Sequence, residues 1–593
     1  MALLAENGKF SSFTERFVHE LLALAPVGAS ATGYHRHTDA KTGKTLPLDE
    51  LLDDYSADGL QKRRALLAEL RRELTLFTAD KLGAAERIDL AVMRSALDEA
   101  QFDLDKIEAH RHNPTVYTNL LGYAIFEPMV HDYAPLEVRL GHILSRLDGL
   151  PVFLDAARKN LADTDPVYTQ AAVDGTQGNI SLLENQLKQL VEQSGSEALG
   201  KRYAATVPRS TALLRDFIRF LKEDLAKHST GSWRLGAALY PEKLRYALGT
   251  DLSPAEVLAK SERALADLRA EMLRLAMPMH QGLYPSHGAH AELAGKEREN
   301  EIIREVLDKI AEEHPARNAL LEEARKNLDE LRSFLREKDF VTLPTRDNLQ
   351  VIETPPFIRN AYGVGGFASA PALEPALGAY YWVTPIPEDW SAERAESKLR
   401  EYNRYTFKIL SLHEALPGHY LQFEHANDIV PASRRLLRNV LASGTYVEGW
   451  AVYMEGVMLD NGFLDGSPKL KLMQLKWTLR AVANAILDVR LHTQGMTDQQ
   501  ALDLMMVDVF QERAEAEAKM IRAKLSVAQL PTYFVGLLEW RSIREAVQRA
   551  EGGAFREKEF HDRALAAGPI PMVELRRWML ATEPPKPGKG RAE

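Results

Sequence analysis

The stretch LHEALPGHYLQ, residues 412–422, places two histidines six residues apart, with a glutamate directly after the first. On one unbroken α-helix this spacing is wrong for shared chemistry. Ligands on a common helix face sit at i and i+4, as in HExxH. Six residues turn a helix through about 600°, which leaves the second side chain roughly 120° from the first. Pro417 and Gly418 lie between the two histidines. Proline has no N–H and clashes with the carbonyl four residues back, here that of His413; glycine accepts backbone angles closed to other residues. The pair predicts a helix opened by two residues, which returns His419 to the face of His413. His425 follows His419 at the same spacing with no Pro or Gly between them. That second pair is expected to diverge, with His425 a surface or core residue.

Zinc hydrolases use three protein ligands, an open position for water, and a base beside that water. Glu414, one step after the first histidine, stands where HExxH enzymes place the base. The third ligand is expected from another helix. SGTYVEGWAVYMEGVMLD (443–460) supplies Glu448, with Glu455 one i+7 step along the same face. An acid among Tyr446, Val447, Trp450 and Val452 is costly to bury unless a cation pairs with it. His413, His419 and Glu448 are therefore the expected Zn2+ ligands. The structural alternative is a buried, non-catalytic His–Glu network.

The rest of the chain sets the context. It has 593 residues, 45% hydrophobic and 27% charged, and a formal net charge of −10. This is ordinary globular composition, without a basic patch to suit nucleic acid or an anionic membrane. There is no cysteine, which excludes disulfides, thiol nucleophiles and cysteine-based zinc sites. Helical periodicity dominates residues 48–77, 87–110, 136–161, 180–195, 252–276, 299–314 and 315–339, and resumes from Ser391 to about Ala581. Ser253 before Pro254 reads as a helix N-cap. Residues 340–390 break the rhythm, being rich in Pro, Gly, aromatic and β-branched residues. Within them LQVIET (349–354) and GAYYWVTPI (378–386) read as short strands. No stretch approaches the roughly 18 apolar residues of a membrane span. The first residues lack the pattern of a signal peptide, and the last dozen, TEPPKPGKGRAE, are expected to be disordered.

HEALPGHYLQ followed some thirty residues later by YVEGWAVYMEG resembles a bacterial family catalogued as domain of unknown function 885. Its members are regarded as zinc peptidases of the gluzincin type with a large helical fold. LAPVGASATGYHRHTD (24–39), NPTVYTNL (113–120), GTDLSPAEVLAKSERAL (249–265), LHTQGMTDQQALDLM (491–505) and FHDRALAAGPIPMVEL (560–575) extend the resemblance in order. It implies His413, His419 and Glu448 as zinc ligands and Glu414 as general base. Asn484 stands where the family commonly has Arg, Arg490 where it has Gly, and Val527-Ala528 where a Pro-Gly pair is expected before Tyr533. An oxyanion donor is also needed. Tyr533 and His492 lead, in family-like segments after Glu448, ahead of His561, Tyr446 and Arg480.

The expected fold is mainly α, a large helical gluzincin-like metallopeptidase with a small β-element (340–390) beside the active-site cleft. The expected divisions are an N-terminal helical lobe (1–235), a catalytic helical lobe (236–582) and a tail (583–593). The expected function is zinc-dependent hydrolysis of amide bonds in short peptides, with Glu414 activating the attacking water. A zinc amidohydrolase on a non-peptide amide and a catalytically silent peptide-binding protein are the alternatives. Residues 378–385 are expected to form a sheet edge that pairs with an extended substrate. Neither nucleic acid nor membrane is expected as partner, and the oligomeric state stays open. The expected location is cytoplasmic, or periplasmic or secreted if an export signal has been removed.

Overall fold

The computed structural model describes residues 2–359 and 362–581; the expected tail lies outside them. The fold is mainly helical, with a two-stranded and a three-stranded sheet. The helices begin and end where local chemistry dictates. Ser253 caps helix Pro254–Leu283 in a capping box, its hydroxyl accepting from the Glu256 N–H while the Glu256 carboxylate accepts from the Ser253 N–H. The periodic stretch 136–161 divides at Gly149 into helices Leu136–Asp148 and Leu150–Asn160, with Pro151 in the first turn of the second. Among the described helices, none is long and apolar enough to cross a membrane.

Helix Pro468–Thr493 is buried on nearly every face, its buried charges Lys476 and Arg480 paired with Glu401 and Glu515. It packs against Pro254–Leu283 and Pro531–Glu551, and the latter also packs along Gly444–Asp460. That last crossing is backbone to backbone. A methyl group added at Gly449 would run into the main chain of Gly536, and one at Gly536 into Gly449. Two glycines thus set how closely Glu448 on one helix approaches Tyr533 on the other.

Residues from Phe10 to Leu104 share one core with residues from Met272 to Met579, whereas 117–225 form a second core closed by Phe357, Ile358, Tyr380 and Trp382. Helical periodicity says which face is buried but not which distant helix covers it.

The three-stranded sheet corrects the expected edge. Ala379–Val383 lies in the centre, parallel to Leu349–Glu353 and antiparallel to Gly365–Ala368. All five of its residues, AYYWV, are buried. A continuous apolar run is the mark of a strand covered on both faces. Pro385 lies past the last paired residue, so its missing N–H removes no ladder bond. The edge beside the helix Arg404–Glu414 is Gly365–Ala368.

Candidate metal centre

The Pro-Gly pair acts as its chemistry predicts. Helix Arg404–Glu414 ends, Ala415–Gly418 form an irregular link with a cis Leu416–Pro417 bond, and a new helix runs His419–Ala426. Gly418 N–H donates to the Leu412 carbonyl at 3.0 Å. A methyl group at Gly418 would overlap the Leu412 and His413 carbonyl oxygens, so only glycine fits. Trp450, fully buried, donates its indole N–H to the Pro417 carbonyl at 2.8 Å and ties the link to the Glu448 helix. The two imidazoles meet edge to face, ring centres 4.8 Å apart.

Glu448 faces both rings. Its Oε2 lies 3.5 Å from His413 Nε2 and 3.4 Å from His419 Nε2. Bonds of about 2.0–2.1 Å to a tetrahedral zinc set donor atoms about 3.3–3.4 Å apart, so the spacing suits an ion at their centre. The same oxygen is buried without a hydrogen-bond partner, while the other, Oε1, accepts from Gln529 at 3.3 Å. Two imidazole nitrogens and an orphaned carboxylate oxygen form a donor set that fits zinc.

The electrostatics agree. Burial opposes charge on His413, yet the Glu448 and Glu455 carboxylates hold its imidazole up at about 10. Burial likewise opposes ionised Glu448, yet the two histidines hold it well below the usual carboxylate range. Glu455, fully buried, accepts from His413 Nδ1 at 3.0 Å. That bond fixes one proton on Nδ1, so a metal ion between the rings and Glu448 would take the place of the second proton, at Nε2, the usual arrangement of a metal-binding histidine. His419 Nδ1 lies 2.7 Å from the Gln422 amide.

Glu414 has no hydrogen-bond or ion-pair partner among the described residues, and burial raises its pKa. It lines a cavity of about 460 Å3 with His413, Tyr533, Arg480, Lys519, Arg522, Asn484, Tyr362 and the backbone at Gly363–Gly365. Tyr533 is half-buried; its hydroxyl accepts from Arg522 at 2.8 Å, and its ring stacks 6.2 Å from His413. Burial keeps this phenol protonated.

The other candidates are placed elsewhere. His492 accepts from the Leu235 N–H at Nδ1 and donates from Nε2 to the Ser526 carbonyl, between Trp233 and Tyr240. Burial lowers its pKa to about 4, so it is a neutral structural group. His561 bridges Tyr453 and the Phe340 carbonyl, and Tyr446 donates to the Ala564 carbonyl. Arg480 reaches the cavity but is bound to Glu515 and Tyr402. His425 binds the Thr342 carbonyl. Asn484 accepts from Lys519 at 3.2 Å in the cavity wall, whereas Arg490 pairs with Glu262 on the surface. Ala528 holds φ +60°, the left-handed region that a Gly would occupy freely.

Sequence reasoning missed Arg522, Gln529 and Tyr362. Arg522 and Gln529 flank Tyr533 at i−11 and i−4, a spacing without a motif. Tyr362 lies between strands Leu349–Glu353 and Gly365–Ala368, where only pairing shows which residues turn inward.

The chain matches, over residues 26–579, the family described as a bacterial protein of unknown function, DUF885. It is similar to the structure of a candidate lipoprotein of unknown function from Shewanella oneidensis, at 30% identity and TM-score 0.77, covering 96% of this chain and 100% of that one. It also resembles the candidate lipoprotein from Colwellia psychrerythraea, at 18% identity and TM-score 0.76, covering 96% and 98%. Comparison with curated proteins finds no match. The breadth of the family match and of the Shewanella likeness place this chain in the bacterial family of unknown function DUF885.

Proposed function

We propose that this protein is a zinc-dependent metallopeptidase of the gluzincin type that hydrolyses amide bonds in short peptides. The observation that carries the reading is the orphaned, buried Glu448 Oε2 facing the Nε2 atoms of His413 and His419, with unpaired Glu414 beside them. His413, His419 and Glu448 would hold the zinc, which would supply Lewis acidity toward the scissile carbonyl and water.

The chain's own groups do the rest. A Glu414 carboxylate oxygen takes the proton of the attacking water and passes it to the leaving amine nitrogen. Its burial-raised proton affinity suits both roles. The Tyr533 hydroxyl, steadied by Arg522, donates to the oxyanion. Arg480 and Arg522 make the cavity wall cationic, offset in part by Glu515, while burial beside these arginines disfavours charge on Lys519; the balance favours a substrate carrying a carboxylate nearby. The edge Gly365–Ala368, continuous with the cavity wall at Gly363–Gly365, offers backbone pairing to an extended peptide. A cavity of this size admits a few residues and no folded protein. The description of both structural relatives as candidate lipoproteins supports an envelope location, the periplasmic or secreted alternative.

The test is Glu414→Gln assayed on a panel of short peptides and small acyl amides. Turnover of the peptides by the wild type, lost by several orders of magnitude in a folded, zinc-loaded Glu414→Gln, is the expected result. Turnover of the acyl amides alone moves the substrate class to amidohydrolysis. Near-normal turnover in the variant, with contaminating peptidases excluded, removes Glu414 as base.

A further inference from the structure

A second cluster of metal-binding side chains lies outside this centre. His280 stands in the last turn of helix Pro254–Leu283, fully buried. His287 and His290 follow in the loop, and Glu305 reaches in from helix Gly295–Ala311. One carboxylate oxygen, Glu305 Oε2, lies 2.6 Å from His280 Nε2, 3.1 Å from His287 Nδ1 and 3.0 Å from His290 Nε2. The three ring centres form a near-equilateral triangle with sides of 5.1–5.8 Å. The loop bends to bring this about: Gly288, Ala289 and His290 have φ of +55°, +51° and +50°, a left-handed run that two of the three residues enter at a cost.

Proton placement points beyond a hydrogen-bond cluster. His290 Nδ1 faces the Glu292 carboxylate at 3.2 Å. That pairing places one ring proton on Nδ1 and leaves Nε2 facing Glu305 Oε2, where a second proton or a metal ion supplies the positive charge. A lone pair and a carboxylate oxygen repel at that distance unless positive charge lies with them. Three imidazoles also crowd one oxygen that has few acceptor directions. A divalent ion satisfies all four groups together.

We propose that His280, His287, His290 and Glu305 form a second metal site, for zinc or a similar borderline divalent ion. Three imidazoles and one carboxylate select this class over magnesium or calcium, which take oxygen ligands. Four protein donors close a tetrahedron and leave no position for substrate, so the site is structural. It fastens the end of Pro254–Leu283 to Gly295–Ala311 across the loop 284–294. Tetrahedral donors stand about 3.3–3.4 Å apart, so Glu305, which is part-exposed, withdraws by about half an ångström to admit the ion.

The experiment titrates metal-stripped protein with Zn2+ alone against a chromophoric chelator, and with Co2+ to read ligand-field absorption. The wild type is expected to bind two equivalents. His287→Ala/His290→Ala, at the two more accessible ligands, is expected to bind one, with peptide turnover retained. His413→Ala/His419→Ala is expected to keep the other. Glu305→Gln preserves shape and removes the charge, and is expected to lose the second equivalent even if the double variant fails to fold. Zinc stoichiometry in Glu305→Gln or in folded His287→Ala/His290→Ala equal to wild type overturns the proposal. A single wild-type equivalent lost in His413→Ala/His419→Ala does the same. A single equivalent lost only in His287→Ala/His290→Ala or Glu305→Gln instead supports this site and removes the first.

Discussion

Glu455 offers the sharpest perturbation of the candidate centre, because it neither touches the cavity nor binds an ion. It is fully buried, and its carboxylate holds His413 Nδ1 at 3.0 Å. Glu455→Gln keeps the size of the side chain and an oxygen that still accepts from Nδ1–H. What it removes is the charge. A hydrogen bond to a charged group is worth about 1.5–3 kcal/mol and a neutral one about 0.5–1.5. The imidazole also becomes a poorer donor to the metal. Together the losses come to about 1.4–2.8 kcal/mol, a zinc Kd raised by a factor of about 10–100. Competition with a chromophoric chelator at neutral pH reads this directly. At saturating zinc, kcat should stay within a few-fold of wild type, since Glu455 does not line the cavity. A folded Glu455→Gln whose zinc Kd lies within twofold of wild type would refute the reasoning, and with it the assignment of His413 Nε2 as the metal-facing atom.

Tyr533→Phe should lower kcat by roughly 10²–10³ with KM and Tm little changed, as for a bond made only in the transition state; a drop in Tm with kcat intact would make Tyr533 a packing residue. His492→Ala should do the reverse, lowering stability while sparing kcat at temperatures where the protein stays folded, as thermal melts and steady-state kinetics on the same samples would reveal. Ala528→Gly should stabilise by about 1 kcal/mol by relieving a left-handed alanine, read from urea unfolding; a midpoint shifted downward counts against it. Asp488, buried beside Tyr240 and the Ala528 N–H, has its pKa raised from 3.8 to about 7 by burial. The folded chain thus holds a proton that the unfolded chain releases above about pH 4, so the contribution of this one group to stability is fullest below that pH and falls by a few kcal/mol as pH rises to about 7. Asp488→Asn should flatten that part of the profile, and superimposable wild-type and variant slopes between pH 5 and 7.5 would exclude Asp488 as its source.

The re-aimed His413–His419 pair was legible in sequence because its decisive interactions are local. Pro417 breaks the helix against its own preceding turn, and Gly418 is required by carbonyls only five and six residues back. Glu448 was legible for a related reason: a carboxylate among Tyr446, Val447 and Trp450 announces a cation partner wherever the chain goes. Capping at Ser253 and the helical class follow from periodicity and end chemistry in the same way.

What local chemistry leaves open is which distant segments meet. Ala379–Val383 is a strand by its residues, but its central place depends on Leu349–Glu353 and Gly365–Ala368 closing on both sides. His492 and Tyr533 stand in equally family-like segments, and only the packing of Pro531–Glu551 on Gly444–Asp460 through Gly449 and Gly536 brings Tyr533 alone to the site. The second cluster shows the same limit. Three of the 17 histidines fall within residues 280–290, but their common partner, Glu305, arrives only because helix Gly295–Ala311 folds back on them. By itself the sequence determined the helical class, the re-aimed histidine pair and the glutamate beside it, because neighbours within a few turns decide them. The tertiary structure alone decided the sheet order, the group placed at the cavity and the groups converging on Glu305, because those contacts join residues that the chain holds far apart.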